Sequence, residues 1–234
     1  MKKKKPIYSI DYYKKIIKII NKYKFKNFEL ITNYGLFSGD SNLFKTLQIK
    51  EIIDRIKNVK GDIIEFGVWR GNTSLLIKKI LDIYKIKKKL YLFDHFKGLK
   101  HFEKLDKFNK KFHKYGKYKG NKKIIKEFIN FFKFKDMEII DMNAMELSKK
   151  TFNKKKFSLV ILDVDLYRPT KKILEAIGSC MQKNSLIVFD EGNERSWPGE
   201  KKALDEFYYE NKKNYVKEYI NFARQPDVIL KKVR

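Results

Sequence analysis

Short, wholly apolar runs alternate along this chain with longer stretches in which apolar residues recur every three or four positions. The runs predict strands, and they sit in DIIEF (Ile63, Ile64, Phe66), KKLYLFD, MEIID, FSLVIL and SLIVF. The helical stretches lie between them. Tyr13, Ile16, Ile17, Ile20 and Tyr23 share one face of a helix over residues 8–23, a second helix is expected from about Leu43 to Lys57, LLIKKILDIY gives a third, and Pro169 begins TKKILEAIGSC. Near the C-terminus, NYVKEYINFARQPDVILKKVR predicts two β segments around Gln225 and Pro226, paired as a hairpin. Strand and helix in alternation mean a mostly parallel sheet with helices on both faces, here ending in an antiparallel hairpin. The fold class is therefore α/β and Rossmann-like. Ligands in such sheets lie off the carboxyl ends of the strands, which places Glu65, Asp94, Asp141, Asp163 and Asp190 on one rim.

Two stretches fit neither pattern. Residues 25–41, with Asn33, Gly35, Gly39 and Asp40, read as a loop able to fold over a ligand. The segment after Asp94, HFKGLKHFEKLDKFNKKFHKYGKYKGN, is long, aromatic and carries all three histidines; long loops of this kind often cover a binding site. With 234 residues, 43% of them hydrophobic, the chain reads as one folded unit. Residues 1–60 supply N-terminal helices and a lid, and 61–234 the domain that carries the site.

GDIIEFGVWRGNTS, residues 61–74, joins a buried strand to a helix through a turn bracketed by Gly67 and Gly71. Glycine permits positive φ and close approach of backbone to ligand, and Asn72, Thr73 and Ser74 are expected to supply caps and amides at the helix start. The spacing Glu65, Gly67, Gly71 is not that of the dinucleotide fingerprint. One strand later Asp94 can accept hydrogen bonds from ribose hydroxyls, so the pair points to adenosine. Asp141, with Met142 and Asn143 after it, ends the strand where an adenine could rest. The alternative is that the glycines only turn the chain and Asp94 caps a helix.

Two further strands run into acids, Asp163 and Asp165 in one case and Asp190 and Glu191 in the other. Hard divalent ions take carboxylate oxygens, so these four acids, converging on one point, could hold Mg²⁺, and a metal so placed could hold a substrate hydroxyl and lower its pKa. Helix capping, or pairing with Arg168, Arg195 or lysines, would explain the same acids without a metal.

The formal charge of +27 arises from 55 Lys and Arg against 28 Asp and Glu. It raises nucleic acid, an anionic membrane or an acidic substrate as partners. Lysines are spread over nearly every helix and loop, without an arginine-rich, aromatic-interleaved stripe, so they read as a solvated surface and a compositional bias. No specific nucleic acid is expected. Cys180 is the one cysteine, which rules out a disulfide framework within the chain and fits a cytoplasmic location. Lysines and Asp11 interrupt the N-terminal region too often for a membrane span. The apolar face of the first helix could pair with a second subunit.

GDIIEFGVWRG, FDHFKGL, LDVDLYRPT and VFDEGNERSWPGEKKALDEF, in that order, resemble the macrocin O-methyltransferase family, and the resemblance runs from about Asn33 to Phe207. It implies a class I methyltransferase fold and S-adenosylmethionine-dependent methyl transfer, Mg²⁺-assisted in characterised relatives, to a sugar hydroxyl of a small molecule or of a surface-polysaccharide precursor. By resemblance Glu65, Gly67, Gly71, Ser74 and Asp94 hold the methyl donor, and the strand-end reading adds Asp141 and Asn143 at its adenine. Asp163, Asp190 and Glu191 match the metal positions, although relatives end the last of these strands with two aspartates. The family base is a histidine in the long segment, where His113 lies in the comparable place and His95 and His101 stay open; Asp163 is the other catalytic candidate. Two rival readings are methylation of RNA or another polyanion, and a non-catalytic assembly protein retaining the fold.

Overall fold

The computed structural model of the chain describes residues 10–106, 114–193, 197–220 and 225–234. Strand β1 (Asp62–Phe66) lies mid-sheet because Ile63, Ile64 and Phe66 are apolar on both faces and fully buried. Around it run β2 (Leu90–Asp94), β3 (Met137–Asp141), β4 (Phe157–Leu162) and β5 (Met181–Phe189), all parallel. β6 (Tyr215–Tyr219) and β7 (Val228–Lys232) form the antiparallel hairpin, giving the order β3-β2-β1-β4-β5-β7-β6. The expected fold class holds.

Helices cover both faces. On one, α4 (Asp40–Ile56), α5 (Asn72–Ile83) and α6 (Lys122–Phe131) set Ile49, Ile53, Ile77, Leu81 and Ile125 against Ile63, Leu92 and Ile161. On the other, α7 (Tyr167–Ile177) and α8 (Pro198–Asn211) set Ile173, Ile177 and Leu204 against Phe66, Val160 and Phe189. Each such side chain contributes about 1.5–3 kcal/mol when taken from water into these layers. The N-terminal helix α1 (Ile10–Tyr23) keeps Ile17, Ile19 and Tyr23 exposed. Residues 25–41 are not the single loop expected but contain two short helices, α2 (Asn27–Thr32) and α3 (Tyr34–Phe37).

Register places the rim. Phe66 pairs with Phe93 on one side and Leu162 on the other, and Leu162 pairs with Phe189. The ladder then runs one residue further: the amide of Gly67 donates to Phe93 O at 3.0 Å, that of Asp163 to Phe66 O at 2.9 Å and that of Asp190 to Leu162 O at 2.9 Å. Gly67, Asp94, Asp163 and Asp190 therefore follow four aligned apolar residues. Side chains alternate along a strand, so these acids and Glu65 share the α4 side of the sheet with Leu92, Ile161, Val188 and Ile63. At the far end, Gln48 of α4 donates to Pro226 O at 3.1 Å, joining α4 to the hairpin turn.

Candidate active site

The turn after β1 needs its glycines. Gly67 has φ +88°, and a Cβ there would lie 1.7 Å from Asp163 O, so the turn crosses the end of β4 at a distance only glycine allows. Gly71, at φ +84°, is the N-cap of α5. No side chain caps this helix: Ser74 instead donates its hydroxyl to Glu65, a correction to the expected capping role. Glu65 is buried, and burial pushes its carboxyl up to about 7 against the opposing effects of the Ser74 bond and the Lys45 charge. Asp94 organises the same turn. Its Oδ2 accepts the amides of Val68 and Trp69, each at 2.9 Å, and its Oδ1 accepts that of Phe96 at 2.7 Å.

Off this rim opens a cleft with two arms that share Gly67, Trp69, Tyr118, Asp163 and Asp165 as walls. Asp94, His95, His101, Met142 and Asn143 line the first arm. Asn143 Oδ1 accepts the amide of Met145 at 3.0 Å, which turns its NH₂ toward His101 Nε2, also at 3.0 Å. That nitrogen is then an acceptor with its lone pair engaged. Burial, helped by His95, Arg168 and Lys100, lowers the His101 pKa and keeps the ring neutral. His101 thus has the character of a fixed binding group more than of a base. Asp141 does not join the site: it pairs with Lys122 at 2.9 Å and lines neither arm. The long segment after Asp94 does wall the first arm, through Gly98, Leu99 and Tyr118 among others. Among the described residues, none of 25–39 lines either arm.

The second arm is acidic. Glu65, Asp163, Asp165, Asp190 and Glu191 line it, with Trp69, Tyr118 and Trp197 as aromatic walls. Lys45 reaches into it from α4, its Nζ 3.6 Å from Asp190 Oδ1. The charge of Asp190, then those of Asp163 and Glu65, raises the Lys45 pKa against the effect of burial. Asp163 is raised well above the ordinary carboxylate range by burial and by its neighbours Asp190 and Asp165. Asp165 is pushed up to about 6 by burial, eased by its bond to Glu191, and Glu191 is raised by burial and by Asp165. Gln225 donates to Glu191 Oε1, while the buried Glu191 Oε2 has no donor among the described residues. Beneath the arm, the fully buried Glu200 accepts the amides of Asp165 and Glu191, each at 3.1 Å.

Asp163, Asp190 and Glu191 were expected to hold Mg²⁺. The structure brings them to one arm, but Asp190 faces the Lys45 ammonium and Glu191 faces Asp165 and Gln225. Among the described residues no three ligating side chains are grouped as a metal site. In this arrangement the residues do not fit the ion. His113 lies outside the described residues.

The sequence reading missed Lys45 and left Glu200 without a role. Lys45 had a signal: it precedes Ile49, Ile52 and Ile56 at helical spacing, a lysine on an apolar stripe. Glu200 had none beyond its place in SWPGE, because its partners are backbone amides, one of them at Asp165 just past the end of β4.

A family model described as macrocin-O-methyltransferase matches residues 42–222. The chain is similar to CalS11, described as a calicheamicin methyltransferase and as a TDP-rhamnose 3′-O-methyltransferase, with 20% identity, 97% of this chain and 94% of that one covered, and a TM-score of 0.82. The O-methyltransferase NovP is similar at 19% identity, with 85% and 82% covered and a TM-score of 0.67. The S-adenosylhomocysteine-bound methyltransferase PaMTH1 of Podospora anserina shares 12% identity over 84% of this chain and 89% of that one, with a TM-score of 0.51. Such identities speak for the fold alone. No curated protein matches the sequence.

Proposed function

This chain belongs to the macrocin O-methyltransferase family of S-adenosylmethionine-dependent enzymes, and from that premise we propose that its cleft sets the methyl donor against a hydroxyl of a small sugar or glycoside. The observation that carries this reading is the junction of the two arms at Gly67 and Asp163. A donor bound in the first arm and an acceptor in the second would meet there.

The residues present fit the donor. Gly67 leaves a strip of bare backbone where any Cβ would collide, and Asp94 holds the turn that shapes it. S-adenosylmethionine supplies an electrophilic methyl group on a positively charged sulfur. Carboxylates along the rim favour such a charge in a partly dry cleft. Met142, Asn143 and the neutral His101 offer an apolar surface and hydrogen-bonding groups for a purine.

Trp69, Tyr118 and Trp197 offer flat faces against which the C–H side of a sugar ring packs, and the acids accept its hydroxyls. As the new bond to carbon forms, the attacking hydroxyl must give up its proton. Asp163 stands at the junction of the two arms, within reach of both, and its carboxylate form takes that proton. Holding donor and acceptor in line carries much of the rate. The sugar substrate named for CalS11 agrees with an acceptor of this size. Methylation of RNA is disfavoured by the second arm, whose five carboxylates would repel phosphate.

Calorimetric titration with S-adenosylhomocysteine tests the reading. Saturable one-to-one binding is expected, and no heat at any concentration would overturn it.

A further inference from the structure

We propose that Lys45 is the resident cation of the acidic arm, standing among the carboxylates that would otherwise gather a divalent ion. The inference rests on the family reading for the nature of the acceptor, but not for the placement of charge.

Lys45 lies one turn before Ile49 on the buried stripe of α4, and the apolar anchoring of Ile49, Ile52, Ile53 and Ile56 fixes the direction from which its stem enters. Its ammonium ends 3.6 Å from Asp190, whose side chain is 9% exposed, and it is the one cationic side chain among the described residues lining this arm. Asp190, Asp163 and Glu65 would otherwise present uncompensated charge to one another, which is costly out of water. A second cation close to Asp190 would meet the ammonium first. Removing that ammonium leaves the carboxylates, with the donorless Glu191 Oε2 among them, facing a gap the length of a lysine side chain. Such a gap suits a hydrated divalent ion, which keeps several waters and takes a few carboxylate oxygens. In the native protein the ammonium does what that ion would: it holds the acids together and donates hydrogen bonds to an acceptor oxygen.

The test is Mn²⁺ binding, followed by electron paramagnetic resonance and calorimetry on the full chain and on its Lys45→Ala, Lys45→Met and Asp190→Asn variants. The native protein should bind Mn²⁺ weakly. Lys45→Ala should bind one ion roughly tenfold or more tightly, since a repelling unit charge has gone. The gain should vanish in the Lys45→Ala, Asp190→Asn double variant. Lys45→Met keeps the apolar stem and serves if the alanine variant fails to fold. Tight Mn²⁺ binding by the native protein that Asp190→Asn abolishes would overturn the proposal, and so would equal, weak binding by all variants. S-adenosylhomocysteine binding, measured on the same samples, reports separately on the donor arm: its loss in the native protein would count against the family reading, not against Lys45.

Discussion

One carboxyl group, that of Glu200, spans two strand ends: Oε2 accepts the amide of Asp165 and Oε1 that of Glu191, both at 3.1 Å. The side chain projects from the first turn of α8, where Pro198 loses no helical hydrogen bond and an acid is favoured by the helix dipole. Glu200→Gln places an NH₂ against one of these N–H donors. It should lower stability by about 2–4 kcal/mol in urea unfolding, and an unchanged midpoint would show that the clasp is not formed in solution.

Gly67→Ala should be among the most damaging single changes. Its methyl would fall 1.7 Å from Asp163 O, and backbone rather than a flexible side chain would have to yield. A loss of roughly 3 kcal/mol or more is expected, read as a fall in melting temperature. Donor affinity should fall with it even at temperatures where the variant stays folded.

Asp94→Ala removes the acceptor of three amides and frees the turn that carries Gly67 and Trp69. Each charge-assisted bond is worth about 1.5–3 kcal/mol, so S-adenosylhomocysteine should bind at least about tenfold more weakly. Equal affinity in calorimetry would place the donor elsewhere.

Glu65 gives stability a pH dependence with a definite sign. Its carboxyl titrates near 7 in the fold and near 4.5 when unfolded, so between those values the folded chain holds the extra proton. Stability from this group is therefore greatest below pH 4.5, falls as pH rises toward 7 and then levels off, a loss of about 3 kcal/mol. Denaturation midpoints taken from pH 5 to pH 8 should show this decline, and Glu65→Gln should make it shallower, the rest of the slope coming from the other raised acids of the arm. A native profile that rises over that range would refute the assignment.

Much of the fold was legible because its signals are local. Ile63 to Phe66, MEIID and FSLVIL each fill a buried strand, and Gly67 and Gly71 mark a turn that requires positive φ. The alignment of Asp94, Asp163 and Asp190 on one rim followed from topology, and register then confirmed it. The roles of individual acids were less accessible. Asp141 ends its strand like the others, yet it turns to Lys122 because β3 is the edge strand and its end is open to solvent. The partners of Glu200 and Lys45 depend on how helices pack over the sheet, which no short motif records. The segment 25–41 was misread because isolated helices of six and four residues carry too little periodicity to see.

Gln48 holds the carbonyl of Pro226, and Gln225 beside it donates to Glu191. Parts of the polypeptide separated by most of its length thus meet over one carboxylate. On the ribosome, β1 through β5 can pair while this corner is still open, because Glu191 gains its amide partner only after Gln225 has been synthesised and has left the exit tunnel. Binding competence should arrive late in translation, after the central sheet is in place.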